Sequence, residues 1–192
     1  MKNNKSIVMV GVGGQGIILA SDIVSSVIMR AGYDVKKSEV HGMSQRGGSV
    51  FSFIRYGEKV YSPVVSEGEA DILIALELME TLRWINYANK NTVVVYNNEK
   101  IWPTDVLIGK RDYPENISDD IKRLAPRSYE IDGLSYIEKI GNKKYLNTVI
   151  LGVISNHLEF DVNIWLETIK ELVPARTIED NIKAFNLGRE IK

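Results

Sequence analysis

The sequence predicts an α/β fold of the Rossmann-like, doubly wound type, with a mostly parallel sheet and helices on both faces. Short runs of β-branched residues alternate with longer stretches of helical periodicity. The first of these runs ends in a glycine-rich turn that opens a helix, which is typical of this fold. The chain has 192 residues, 44% of them hydrophobic, and shows neither a repeat nor a linker-like segment. We therefore expect residues 1–192 to form one domain.

The N-terminal part predicts a strand, a glycine turn and a helix, followed by a second strand. Ile7 to Val12 is a short apolar run rich in strand-forming residues. The segment after the glycines has the spacing of a buried helix face, with apolar residues at Ala20, Ile23, Val24, Val27, Ile28 and Ala31. Asp34 to Val40 predicts the second strand, and its consecutive polar residues Lys36 to Glu39 favour a place near the edge of the sheet.

An antiparallel hairpin is expected to interrupt the parallel order. Ser49 to Tyr56 alternates apolar residues with smaller or polar ones, which is typical of a half-buried strand. Gly57 and Glu58 provide a turn, and Lys59 to Ser62 provides the predicted return strand.

The middle of the chain predicts a second βαβ unit. Asp71 to Leu76 and Thr92 to Tyr96 are apolar enough for buried parallel strands, and Glu77 to Ala88 has the periodicity of a helix between them. Three prolines divide Ile101 to Arg127 into short pieces, after which Ser128 to Ile131 predicts a last strand.

The C-terminal part predicts two or three helices that close the domain. Thr148 to Leu158 is densely apolar, and Val162 to Leu172 carries Trp165 on an apolar stripe. Thr177 to Asp180 fits a capping box with aspartate in the last position, which predicts the start of the final helix.

Composition argues against several classes of partner and chemistry. The 24 basic and 25 acidic residues nearly cancel, so we expect binding to neither nucleic acid nor an anionic membrane. The absence of cysteine excludes disulfides, thiolate nucleophiles and the usual ligands of iron-sulfur clusters on this chain. Residues 1–6 are polar, and glycines break the apolar run that follows well short of a membrane span. We therefore expect a cytoplasmic chain without a signal peptide or a transmembrane helix.

The first glycine-rich turn is a candidate phosphate site. Residues 11–16, GVGGQG, fit the pattern G-x-G-x-x-G directly after a predicted strand and at the start of a predicted helix. Glycine allows backbone N–H groups to approach a phosphate, and the helix N-terminus adds a partial positive charge. The alternative is that these glycines only permit close packing of the strand against the helix.

Glu39 would complete a dinucleotide site of the nicotinamide type. It ends the second strand near the spacing of about 20 residues that such sites use for the acid that binds the ribose. The polarity of that strand counts against this interpretation.

A second glycine-rich loop follows that strand. Residues 42–48, GMSQRGG, combine a hydroxyl, an amide and a guanidinium with two adjacent glycines, a composition that suits an anion-binding backbone nest. A solvated turn with an exposed arginine is an equally good interpretation of the composition alone.

Isolated titratable residues offer weaker signals. His41 at a strand end and His157 in the apolar C-terminal region are each more typical of structural residues than of catalytic ones or metal ligands. Glu77 follows a buried strand at the carboxyl edge of the predicted sheet, where it has a claim to a binding site or, more commonly, caps a helix. We predict no catalytic residue and no metal site on this chain.

Together, the two glycine-rich segments resemble the gamma domains of 2-oxoacid:ferredoxin oxidoreductases, and in particular the beta subunits of the indolepyruvate type. The resemblance rests on VGVGGQGI at Val10 to Ile17 and SEVHGMSQRGGSV at Ser38 to Val50. Asn181 to Gly188 is similar to the closing helix of that family, so that the likeness runs from about Ile7 to Gly188.

This resemblance implies a division of labour between subunits. In that family a 2-oxoacid is decarboxylated on thiamine diphosphate, its acyl group passes to coenzyme A, and ferredoxin receives the electrons. Thiamine diphosphate and iron-sulfur clusters are then expected on a partner subunit, which agrees with the lack of cysteine here. Ferredoxin would be reached only through the assembled enzyme, and this chain would be inactive alone.

The resemblance also implies which residues bind coenzyme A as a co-substrate. They are Gly11, Gly13, Gly14, Gln15 and Gly16 in the first turn, and Ser44, Gln45, Arg46, Gly47 and Gly48 in the second loop. Arg46 is the natural charged clamp for a phosphate. Two other functions stay open at this point: a free-standing NAD(P)-binding oxidoreductase, and a scaffold subunit without a ligand.

Overall fold

A computed structural model describes residues 4–41 and 48–191, which contain a six-stranded mixed sheet. The strands are β1 (Lys5–Val12), β2 (Asp34–His41), β3 (Ser49–Gly57), β4 (Ile72–Ala75), β5 (Val93–Asn97) and β6 (Ser128–Ile131). Their order across the sheet is β2-β3-β1-β4-β5-β6. Strands β1, β4, β5 and β6 are parallel, whereas β3 runs antiparallel to both β1 and β2.

Helices cover both faces of this sheet, which confirms the predicted fold class. They are α1 (Ile17–Arg30), α2 (Leu78–Arg83), α3 (Thr104–Leu107), α4 (Ile117–Leu124), α5 (Gly133–Ile140), α6 (Leu146–Ser155), α7 (Val162–Leu172) and α8 (Ile178–Arg189). Helices α1, α6, α7 and α8 contribute to the hydrophobic core on one face, and α2 and α4 contribute to the core on the other. Strand β1 supplies alternate residues to the two cores, which explains its unbroken apolar run.

The antiparallel insertion is present, but its predicted pairing is wrong. Strand β3 pairs with β1 along Lys5–Val12 and with β2 along Asp34–His41, so both of its edges are occupied. Residues 59–62 therefore find no free edge of β3 and form no strand. Instead, the backbone N–H of Val60 donates to the carboxylate of Asp34, the first residue of β2, at 2.9 Å. The edge position predicted for β2 is confirmed.

The second βαβ unit is confirmed with a shorter helix than predicted. Helix α2 ends at Arg83, and a single 3-10 turn over Ile85–Tyr87 continues the segment. Helices α3 and α4 lie in the region that the prolines divide. Helix α5 was not predicted from the sequence, because it is only eight residues long and its one fully buried residue is a glycine, which gives no apolar pattern.

The C-terminal helices are present, but the predicted capping box is wrong. The Thr177 hydroxyl donates to the Pro174 carbonyl at 2.8 Å, because Thr177 ends a 3-10 turn that begins at Ala175. Asp180 instead accepts a hydrogen bond from the Tyr145 hydroxyl at 3.1 Å. Helix α8 still begins at Ile178 and packs closely on α6.

Candidate functional site

A cleft of about 430 Å³ opens beside the first glycine turn, where β1 and β4 end. It lies at the carboxyl edge of the parallel strands, where ligands bind in doubly wound folds. Its lining comprises Gly13, Gly14, Gln15, Gly16, Leu19, Leu76, Glu99, Ile101, Lys143, Lys144, Leu146 and Asn147. Three elements distant in sequence therefore meet here: the turn before α1, the end of β4 with the residues after β5, and the start of α6.

The backbone of the turn requires glycine at two of the predicted positions. Gly14 has φ 102° and Gly16 has φ 80°, values that side-chain-bearing residues rarely adopt. Gly16 is the N-cap of α1, and no acidic residue occupies the first turn of this helix. The first N–H groups of a helix have no intrahelical acceptor, so α1 presents donors and a partial positive charge at this side of the cleft.

The Gln15 side chain braces the turn from within. Its Oε1 accepts a hydrogen bond from the Val12 N–H at 2.8 Å, and its Nε2 donates to the Leu76 carbonyl at 2.8 Å. A longer bond of 3.4 Å joins the same Nε2 to Glu99. Gln15 thus ties the glycine turn to the end of β4.

Four polar residues of the cleft were not predicted from the sequence: Glu99, Lys143, Lys144 and Asn147. Asn147 is buried at the start of α6 and donates from Nδ2 to the Gly16 carbonyl at 3.4 Å. These residues are brought to the glycine turn only by tertiary packing, which sequence periodicity does not report. The adjacent lysines just before an apolar helix were the one local signal.

Residues 42–47 of the second glycine-rich loop, which include the predicted site residues Ser44, Gln45, Arg46 and Gly47, lie outside the described residues. Gly48, its last residue, is described, and its carbonyl accepts a hydrogen bond from the Gly13 N–H at 2.9 Å. At the other end, the register pairs His41 with Val50. Both ends of the loop therefore lie near the carboxyl end of β1, the end of the sheet at which the cleft opens.

Glu39 does not occupy the position that a dinucleotide site requires. In such sites the acid stands on the strand next to β1, whereas here β3 separates β2 from β1. The Glu39 carboxylate instead interacts with the Lys37 ammonium and with the Ser21 hydroxyl at 3.3 Å. The geometry therefore does not favour the NAD(P) alternative.

Glu77 caps α2, which packs on the face of the sheet opposite to α1 and α6. This confirms the more common of its two predicted roles. Its carboxylate accepts hydrogen bonds from the Glu80 N–H at 2.8 Å and from the Ile101 N–H and Tyr113 hydroxyl at 3.1 Å each. Burial raises the pKa of Glu77, the nearby Glu80 carboxylate adds to the rise, and the three hydrogen bonds oppose it. Glu80 in turn accepts from the Ser49 hydroxyl at 2.5 Å, at the start of β3.

The raised pKa of Glu77 predicts a measurable pH dependence of stability. The folded chain holds the Glu77 proton more tightly than the unfolded chain does, so ionisation of this group reduces stability as pH rises through the raised pKa. A Glu77→Gln variant keeps an acceptor for the cap and lacks this ionisation. Denaturant unfolding between about pH 4 and pH 7 should show the wild type losing free energy of unfolding relative to the variant as pH increases. A difference that stays constant or grows in favour of the wild type would contradict this assignment.

His157 has a structural environment. It lies half-buried just beyond α6, with its ring 4.8 Å from that of Tyr129. Burial lowers the pKa of His157, and the charge of Arg127 lowers it further. Within residues 4–41 and 48–191 no group of His, Asp and Glu side chains is arranged to hold a metal ion. In the same part of the chain, every helix is too short or too polar to span a bilayer.

Comparison with known proteins identifies the family. The family model for pyruvate ferredoxin/flavodoxin oxidoreductase matches residues 6–191. The chain belongs to this family. It is 38% identical over 187 residues to the indolepyruvate oxidoreductase subunit IorB of Archaeoglobus fulgidus, and the match covers 95% of this chain and 92% of that relative. The predicted resemblance is therefore confirmed.

Solved structures of related proteins share the fold. The gamma subunit of the keto/oxoacid ferredoxin oxidoreductase from Geobacter sulfurreducens superposes with a TM-score of 0.70 at 21% identity, covering 97% of this chain and 96% of that one. The 2-oxoglutarate:ferredoxin oxidoreductase from Magnetococcus marinus, solved with 2-oxoglutarate, coenzyme A and succinyl-CoA bound, gives a TM-score of 0.76 at 19% identity. All of this chain matches 31% of that longer one, so the same fold occurs there as one part of a larger chain.

Proposed function

We propose that the chain is the thiamine-free, cluster-free subunit of a 2-oxoacid:ferredoxin oxidoreductase acting on indolepyruvate or a related arylpyruvate. The observation that carries this proposal is the similarity to an indolepyruvate oxidoreductase subunit along nearly the whole of both chains. In this role the chain contributes coenzyme A binding and subunit assembly to the oxidative decarboxylation of the 2-oxoacid to an acyl-CoA.

The redox groups belong on a partner subunit in this proposal. Iron-sulfur clusters are held by cysteine thiolates, and this sequence has no cysteine. A partner that carries thiamine diphosphate and the clusters would perform the decarboxylation and pass the electrons to ferredoxin. This chain would then act only in the assembled enzyme.

Coenzyme A is the proposed ligand of the glycine cleft. The proposed binding residues are Gly11, Gly13, Gly14, Gln15 and Gly16 of the turn and Ser44, Gln45, Arg46, Gly47 and Gly48 of the second loop. Support comes from the α1 N-terminus at the cleft and from the bond between Gly13 and Gly48, which joins the two segments. That bond occupies the Gly13 N–H, so the helix N-terminus and the charged side chains would provide most of the attraction for phosphate.

Reconstitution tests this function directly. The purified chain is expected to show no turnover, because it lacks the groups that carry electrons. Mixed with its thiamine-bearing partner, it should support reduction of ferredoxin by indolepyruvate in a reaction that requires coenzyme A. Pyruvate and 2-oxoglutarate serve as comparison substrates, and a reaction without coenzyme A serves as the control. Failure of every 2-oxoacid in an assembled, thiamine- and cluster-loaded complex would contradict the proposal.

A further inference from the structure

We propose that the cleft beside the glycine turn binds two chemically different parts of its ligand, with Lys143 and Lys144 contacting phosphate and Glu99 accepting hydrogen bonds from hydroxyl, amide or amino groups. This inference rests on the proposed function, in which the ligand is coenzyme A. It adds three residues, none of them in either glycine-rich segment, and it orients the ligand within the cleft.

The two lysines form the cationic wall of the cleft. Lys143 and Lys144 lie in a 3-10 turn just before α6, and both line the cleft. Among the residues that the structure describes, neither ammonium group pairs with a carboxylate. With the N-terminus of α1 at the cleft, positive potential reaches the same space from two directions. A phosphate there would neutralise charge that the chain leaves uncompensated.

Glu99 is the only acidic side chain among the described lining residues of this cleft. Its Oε2 accepts two hydrogen bonds of 3.4 Å, one from Gln15 Nε2 and one from Asn97 Nδ2. Both bonds reach the same oxygen, and within residues 4–41 and 48–191 no hydrogen bond is recorded to Oε1, the oxygen that we propose the ligand contacts. A carboxylate repels phosphate but attracts hydrogen-bond donors. The cleft therefore has one region, at the lysines, that favours phosphate and another, at Glu99, that favours hydrogen-bond donors.

Gln15 and Asn97 hold Glu99 in a defined orientation. Gln15 Nε2 also donates to the Leu76 carbonyl at 2.8 Å, and Asn97 Nδ2 donates to the same carbonyl at 3.1 Å. The Asn97 Oδ1 accepts from the Gly133 N–H at 3.1 Å, which fixes the orientation of that amide. The Glu99 side chain is therefore positioned by two amides that are anchored to the end of β4 and the start of α5.

This arrangement makes Glu99→Gln an informative substitution. Two N–H donors lie 3.4 Å from Oε2, so the carbonyl oxygen of glutamine is expected to take that position, which places its NH₂ group at the position of Oε1. The substitution thus removes the negative charge and replaces an acceptor with a donor at the ligand. Binding of a donor-bearing ligand should weaken, whereas binding of a bare phosphate compound should not.

The experiment measures binding by the assembled complex to coenzyme A, pyrophosphate, pantetheine and adenosine 3′,5′-bisphosphate. The Lys143→Ala/Lys144→Ala double variant is expected to bind coenzyme A and pyrophosphate about tenfold or more weakly, with pantetheine unchanged, and its coenzyme A affinity should depend less on salt. Glu99→Gln is expected to bind coenzyme A about tenfold more weakly, and pyrophosphate as well as or better than the wild type. Whichever fragment also weakens identifies the group that Glu99 contacts.

Matched controls are Lys90→Ala and Glu67→Gln, exposed residues that precede β5 and β4 at the opposite edge of the sheet. Thermal melting and co-purification with the partner establish that every variant folds and assembles.

If the wild-type complex binds coenzyme A and the cleft variants behave like their controls, this inference is overturned while the proposed function stands. If Glu99→Gln tightens coenzyme A as much as pyrophosphate, the role of Glu99 is wrong. If the wild-type complex binds neither coenzyme A nor any fragment, the coenzyme A site itself is wrong.

Discussion

A Gly188→Ala variant is expected to melt roughly 6–12 °C below the wild type, which corresponds to a loss of about 3 kcal/mol in the free energy of unfolding. Gly188 on α8 and Gly152 on α6 bring the two helix backbones into direct contact, and a Cβ at position 188 would overlap the Val149 carbonyl and lie 3.0 Å from the Gly152 Cα. These are backbone atoms, which cannot rotate away as a side chain would. The helices must therefore separate, and the stacking of Trp165 on Phe185 beside them would be disturbed.

Asn186→Ala provides the control on the same helix, because Asn186 is exposed and its substitution removes no packing. Thermal or denaturant unfolding of the two variants separates loss of helix contact from a change in helix propensity. A Gly188→Ala melting temperature equal to that of Asn186→Ala would show that α6 and α8 tolerate a wider spacing. Gly188→Ala also tests whether the position of α6 supports the cleft, because Asn147 at the start of α6 donates a hydrogen bond to the glycine turn.

Elements whose identity depends on local pattern could be predicted from the sequence. Strands β1, β4 and β5 are buried on both faces, so each appears as an apolar run bounded by polar residues or glycine. The turn before α1 was recognisable because positive φ at Gly14 and Gly16 demands glycine. In these cases burial of a whole strand, or positive φ at a turn, restricts residues that are adjacent in sequence. The restriction is therefore visible as a short sequence pattern.

Features that depend on tertiary packing could not be predicted in the same way. Strand β3 alternates as an antiparallel strand should, but its pattern does not reveal that β1 and β2, rather than residues 59–62, occupy its edges. The cleft shows the same limit. Glu99 and Lys143 lie far from the turn in sequence, and ordinary charged residues carry no periodic signal that they will face it.

A Gly16→Ala variant is expected to lose about 2 kcal/mol or more in the free energy of unfolding and most of the coenzyme A-dependent turnover of the assembled complex. The residue holds φ 80° as the N-cap of α1, and a Cβ there would lie 2.5 Å from Asn147 Nδ2, in a buried amide. Relief of this overlap would move the N-terminus of α1, the group proposed to attract phosphate, relative to the start of α6. Gly14→Ala is the matched comparison for stability, since Gly14 also has positive φ, 102°, and its Cβ would meet no atom within 4 Å.

Unfolding measurements on Gly16→Ala, Asn147→Ala and the double variant then separate the cost of the contact between residues 16 and 147 from the cost of backbone strain. The double variant should be more stable than the two single losses added together. Strict additivity, with Gly16→Ala no worse than Gly14→Ala, would show that Asn147 does not set the position of the turn.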